Sequence, residues 1–213
     1  MHKSEVIKQI REIGVIPVVR ATTAEEAMRA IDAILEGGIS VLEITMTVPN
    51  AFSLIEQVTA RFGSDALVGA GTVLSAETAK SCIASGAQFI VSPALNFETI
   101  TYCREQGVAV MPGALTPTEV VQAWNAGADF VKVFPAGAVG GPNYLKSLKA
   151  PLPQIELVPT GGVSLKTAAD FIKAGAAALG VGADLVDIKA ESSLITERAK
   201  QFVEIVRQAR DEL

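Results

Sequence analysis

A lysine and a glutamate on apolar strands are the residues best suited to covalent chemistry. Lys132 lies in FVKVFPA (130–136) and Glu43 in VLEIT (41–45). Side chains alternate along a strand. Leu42, Ile44 and Met46 therefore share one face, and Val41, Glu43, Thr45 and Thr47 the other. The apolar set is expected to pack against outer helices and the polar set to point inward. By the same alternation Lys132 points inward with Phe130 and Phe134. Lys and Glu are almost never fully buried without a partner. Burial disfavours an ammonium, and a free amine is the nucleophile that forms a Schiff base with a ketone. A neighbouring carboxylate can shuttle protons. The same two residues also fit a structural ion pair. Glu156 falls early in its strand and reads as structural or solvent-facing.

The elements that must position this pair follow from a recurring phrase: a helical stretch, a Gly, then a short apolar strand. From Gly38 the junction glycines follow at intervals of 25, 23, 21, 20 and 48 residues (Gly63, Gly86, Gly107, Gly127, Gly175). The last interval is two steps, with Pro151 and Pro153 marking the missing junction. Gly after a helix and before a strand is ordinary αβ-loop chemistry. The strands are expected near 15–20, 39–45, 67–72, 88–92, 108–112, 129–134, 155–160 and 177–182. Strands alternating with helices of 10–15 residues give a parallel sheet. Eight such units predict a (β/α)8 TIM barrel, one domain spanning 1–213, with an extra N-terminal helix. An open doubly wound sheet is the alternative. Gly69-Ala70-Gly71 lacks the third Gly of a dinucleotide fingerprint and carries little weight. Residues 4–13 and 193–210 each carry an apolar stripe and read as packing helices.

In such barrels chemistry sits at the C-terminal ends of the strands, and phosphate binds the loops after strands 7 and 8. Thr160-Gly161-Gly162 and Gly182-Ala183 occupy those two slots. Glycine lets backbone N–H groups approach an anion closely. Neither loop carries Lys or Arg, so backbone amides would carry most of the binding. Arg20 ends the first strand and fits a substrate carboxylate or plain surface exposure. Thr72 ends the third, where it could donate a hydroxyl or cap the helix near 76–85. Pro93 and Pro112 shape the rim. Residues 136–143 form either a lid or a loop with Pro142 starting a helix. Cys82 and Cys103 are expected to be inert buried thiols.

Composition narrows the function classes. Lys+Arg number 18 against 23 Asp+Glu, a net charge of −5, which argues against a nucleic-acid surface. The single His, His2, excludes His-based triads and His-rich metal sites. Hydrophobic residues make up 49%, enough for a large core. No apolar run reaches the roughly 18 residues of a membrane span. The N-terminus lacks the apolar stretch of a signal peptide. The expectation is a soluble cytoplasmic protein without membrane or nucleic-acid partners.

Taken together, VLEIT (41–45), VGAGTV (68–73), FIVSP (89–93), VMPG (110–113), FVKVFPA (130–136), PTGGV (159–163) and LGVGADLV (179–186) resemble the 2-keto-3-deoxy-6-phosphogluconate (KDPG) aldolases. That class I pyruvate-aldolase family includes the 6-phosphogalactonate and 4-hydroxy-2-oxoglutarate (KHG) aldolases. The resemblance implies metal-free and cofactor-free cleavage of a small keto-acid phosphate to pyruvate and glyceraldehyde 3-phosphate, usually by a homotrimer. It implies Lys132 as the Schiff-base lysine and Glu43 as the general acid/base. Thr72, Pro93 and Phe134 match pocket positions, and Thr160, Gly161, Gly162, Gly182 and Ala183 the phosphate loops. Two positions depart from the pattern. Thr47 stands where some members carry an Arg for the carboxylate, a task that Arg20 can take over, and Ala183 replaces a phosphate-binding Ser. The competing readings are a phosphate-binding isomerase or epimerase with Glu43 as base, and a non-catalytic scaffold.

Overall fold

The computed structural model describes residues 1–213. Its strands are β1 (Val15–Val19), β2 (Val41–Thr45), β3 (Leu67–Gly71), β4 (Phe89–Val91), β5 (Ala109–Met111), β6 (Gly113–Ala114), β7 (Val131–Val133), β8 (Leu157–Pro159) and β9 (Leu179–Val181). The first sheet runs β5-β4-β3-β2-β1-β9 and the second β6-β7-β8, with every pairing parallel. β5 and β6 are halves of one stave, split at Pro112, which has no N–H for a ladder bond. Bridges Leu157–Ala176 and Thr160–Gly180 join the second sheet to the β9 stave and complete a ring of eight staves. Each expected strand is present and a residue or two shorter at its ends.

The helices are α1 (Lys3–Ile13), α2 (Ala24–Glu36), α3 (Ala51–Phe62), α4 (Ala76–Ala84), α5 (Phe97–Glu105), α6 (Pro117–Asn125), α7 (Pro142–Lys149), α8 (Ala168–Lys173) and α9 (Ser192–Asp211). Local chemistry sets their ends. Thr23 caps α2, and Thr116 with Glu119 forms a capping box on α6. Pro142 begins α7, where its missing N–H costs nothing. Junction glycines such as Gly86 (φ 102) and Gly127 (φ 97) take the left-handed turn that ends a helix before a strand.

The strands separate two cores. Leu42, Ile44, Val68, Ala70, Ile90, Val131 and Val133 face outward to the helices. Ile16, Val41, Leu67, Phe89, Met111, Phe130 and Val158 face the axis. The expected alternation on β2 and β7 therefore holds. The inner set is completed by Val6 and Ile10 of α1, which stopper the N-terminal mouth of the barrel. Full burial of each contributes about 1.5–3 kcal/mol. Further ties hold the stopper in place. Lys3 pairs with Asp129 at 2.9 Å. Arg210 of α9 donates to the carbonyls of Glu12 (2.9 Å), Arg11 (2.6 Å) and Ala177 (3.1 Å). With that end filled, the barrel interior opens only at the C-terminal mouth.

Candidate active site

Glu43 on β2 and Lys132 on β7 come from opposite sides of the ring and meet across its axis. Lys132 Nζ lies 3.9 Å from Glu43 Oε1, and each side chain is only 3% exposed. That separation gives charge attraction without a direct hydrogen bond. Glu43 Oε1 is fully buried and has no hydrogen-bond partner. An orphaned acceptor is uncommon in a native interior, and beside a buried lysine it fits a carboxylate held for proton transfer. Nζ also stands 5.5 Å from the centroid of the Phe134 ring, a cation–π distance.

Glycines on the same inward face make this geometry possible. A Cβ on Gly71 would sit 1.8 Å from Glu43 Oε1, so only Gly leaves room for the carboxylate. A Cβ on Gly69 would strike the Phe89 ring at 2.3 Å, and one on Gly180 would strike Thr160 Oγ1 at 2.1 Å. The bare Gly-x-Gly of β3 is thus a pair of cut-outs for the inward side chains of neighbouring staves. Inward parity at Gly69 and Gly71 was the sequence signal for this role.

A cavity of about 240 Å³ opens at Phe134, the ring that faces Lys132 Nζ. Arg20, Phe134, Thr160, Gly161, Gly162, Gly182 and Ala183 line it, with Asp184 on the same wall. The structure therefore gathers all five expected phosphate-loop residues around one hollow, and Arg20 is its one cation. Gly161 (φ 83) and Gly162 (φ 79) both need the left-handed conformation. Gly137 N–H donates to the Gly161 carbonyl at 2.8 Å, so the turn Ala136–Val139 braces the loop. The Gly-rich stretch at 136–143 is thus a short turn leading into α7.

Thr47, Thr72 and Pro93 stand on the other rim, beyond β2, β3 and β4. Thr47 is exposed, and its hydroxyl contacts that of buried Thr45 at 2.6 Å. Thr72 does not cap α4; Ser75 does, accepting from Thr78 N. Thr72 instead holds φ 59, costly for a β-branched residue and a sign of a constrained position at the strand end. The Pro93 backbone packs against Gly113 so closely that a Cβ there would lie 2.2 Å from it. Glu156 is structural as expected, pairing with Arg11 at 3.4 Å. Burial pushes the thiol of Cys82 up to about 11 and that of Cys103 to about 12. A larger hollow of about 530 Å³ runs along α2 past Met28, Arg29 and Asp32, but no strand end reaches it.

Comparison with known proteins gives this arrangement a family. The family model "KDPG and KHG aldolase" matches residues 6–206. The 2-dehydro-3-deoxy-6-phosphogalactonate aldolase of Escherichia coli K12 is 35% identical over 93% of this chain and 97% of its own. The 2-dehydro-3-deoxy-phosphogluconate aldolase of Treponema pallidum is 36% identical over 78% of this chain and 79% of its own. A solved structure described as native KDPGal superposes with a TM-score of 0.87 at 35% identity, covering 92% of this chain and 96% of that one. With a parallel barrel of this shape and a match over nearly its whole length, the chain belongs to the KDPG and KHG aldolase family.

Proposed function

We propose that this protein is a class I aldolase that reversibly cleaves 2-keto-3-deoxy-6-phosphogluconate, or its galactonate epimer, to pyruvate and D-glyceraldehyde 3-phosphate. Cleavage of 4-hydroxy-2-oxoglutarate to pyruvate and glyoxylate uses the same machinery. The observation that carries this reading is the buried Lys132–Glu43 pair, 3.9 Å apart across the barrel axis. Lys132 Nζ attacks the C2 carbonyl to give a carbinolamine, which loses water to form an iminium. Glu43 takes the C4 hydroxyl proton. The C3–C4 bonding pair then flows into the iminium, leaving an enamine and a free aldehyde. The carboxylic acid on Glu43 returns its proton to C3, and hydrolysis of the new iminium releases pyruvate. Arg20 supplies charge for an anionic end of the substrate. The Gly161–Gly162 and Gly182–Ala183 backbones receive the phosphate.

The reading extends to a cytoplasmic homotrimer built from copies of one barrel domain. Phe52, Leu74 and Phe97 support self-association: they are 41–59% exposed and sit where β2, β3 and β4, neighbours in the ring, run into their helices. No helix is long and apolar enough to cross a membrane. The decisive test of the chemistry is borohydride reduction in the presence of pyruvate, followed by peptide mass spectrometry. An adduct on Lys132 is expected. No adduct, or one on another lysine, defeats the mechanism.

A further inference from the structure

We infer that Thr47 is a hydrogen-bond acceptor that reads the hydroxyl of the aldehyde half of the substrate, and that it does not hold the pyruvate carboxylate. This deepens the aldolase reading and rests on it. The argument is a count of protons. Thr45 Oγ1 is buried on the same inward face as Glu43. It lies 3.1 Å from the Val19 carbonyl oxygen and 2.6 Å from Thr47 Oγ1. A carbonyl only accepts, and each threonine hydroxyl has one proton. Both contacts are hydrogen bonds only if Thr45 donates to Val19 and Thr47 donates to Thr45. Thr47 is then left with lone pairs alone.

A carboxylate is also an acceptor only, so it finds no donor at Thr47 and is repelled by those lone pairs. An alcohol is the complementary group. The position agrees with this. Thr47 lies two residues past the end of β2 and is exposed, while Thr45 is fully buried and fixes the direction of the chain of hydroxyls. In the proposed mechanism Glu43 already serves the aldehyde oxygen. The hydroxyl left for Thr47 is the one on the carbon next to the aldehyde. The carboxylate then falls to Arg20, which directly follows β1, the neighbour of β2, and is the one cation lining the cavity that also holds the phosphate loops.

The test runs the reaction in the aldol direction with Thr47→Val and Thr47→Ser. The acceptors are D-glyceraldehyde 3-phosphate and glycolaldehyde phosphate, which keeps the phosphate and lacks the hydroxyl. Thr47→Val should lower kcat/KM for glyceraldehyde 3-phosphate roughly five- to tenfold, the weight of one neutral hydrogen bond. It should leave glycolaldehyde phosphate, and the pyruvate concentration that half-saturates borohydride trapping, within about twofold, well inside the span of that same bond. Thr47→Ser should restore the wild-type preference. A tenfold rise in the pyruvate needed for trapping, equal losses on both acceptors, or no change at all would overturn the inference. A wild-type protein that traps no pyruvate would fail the aldolase reading itself, and this inference with it.

Discussion

Replacing Gly71 with alanine should disable Glu43, the proposed general acid/base, without substituting that residue itself. The added Cβ would lie 1.8 Å from Glu43 Oε1, 2.4 Å from Cδ and 2.5 Å from Cγ, whereas ordinary contact begins at 3.4 Å. Gly71 does not hold a positive φ, so alanine brings no backbone strain and the whole conflict falls on the Glu43 side chain. The carboxylate must retreat by about 1.5 Å, and displacement of a catalytic group by about 1 Å costs on the order of a hundredfold in rate. Overpacking of this kind costs about 1–3 kcal/mol of stability, and for a chain of this size each kcal/mol lowers Tm by about 2–4 °C. Pyruvate release from the keto-acid phosphate, coupled to lactate dehydrogenase, measures kcat, and circular dichroism checks the fold. The expected result is a folded protein that still traps pyruvate on Lys132 and turns over about a hundred times more slowly. A folded Gly71→Ala protein with kcat within threefold of wild type would show that Glu43 has no fixed post, and the argument from its position would fail.

Lys132→Ala should abolish turnover and trapping. Glu43→Gln should keep trapping but lose about 10²–10⁴-fold in kcat, a split that stopped-flow and mass spectrometry can read. Arg20→Ala should raise KM for the phosphorylated substrate by at least tenfold, since hydrogen bonds to charged groups carry about 1.5–3 kcal/mol. The raised thiols of Cys82 and Cys103 should not react with Ellman's reagent at pH 8 until the protein is unfolded. Because folding holds their protons more tightly, their contribution is complete below pH 9 and is lost as pH climbs toward 11–12, so urea midpoints should fall across that range. Arg210→Met should lower the thermal midpoint by several degrees through loss of three carbonyl contacts, with KM unchanged.

The residues show why part of this arrangement was readable in advance. Glu43 and Lys132 stood out because a charged residue inside an apolar alternating strand has a computable direction, and both point where parity sends them. The loops at Gly161–Gly162 and Gly182–Ala183 were readable because the junction glycines count the staves. Contacts between neighbouring staves were only half legible: parity turns Gly69 and Gly71 inward but does not say which side chain fills the space. Gly71 yields to Glu43 and Gly180 to Thr160 only because the ring sets them side by side. The division of one stave at Pro112 depends on the ladder bonds of its neighbours. Of the two roles open to Thr72, hydroxyl donor or helix cap, Ser75 took the cap. The apolar stripe of residues 4–13 marked a packing helix, but nothing local said that Val6 and Ile10 would enter the barrel floor.

That plugged floor has a kinetic consequence. A vessel closed at its base has one doorway, and whatever enters last must leave first. In the proposed mechanism the ketoacid half bonds to Lys132 inside the barrel, and the aldehyde half lies between it and the single mouth. Pyruvate is therefore trapped twice over, by its bond and by the molecule above it. Turnover in the synthetic direction should be strictly ordered, with pyruvate loading before the aldehyde. In the cleaving direction, excess aldehyde should slow the final discharge of pyruvate by standing in the only exit.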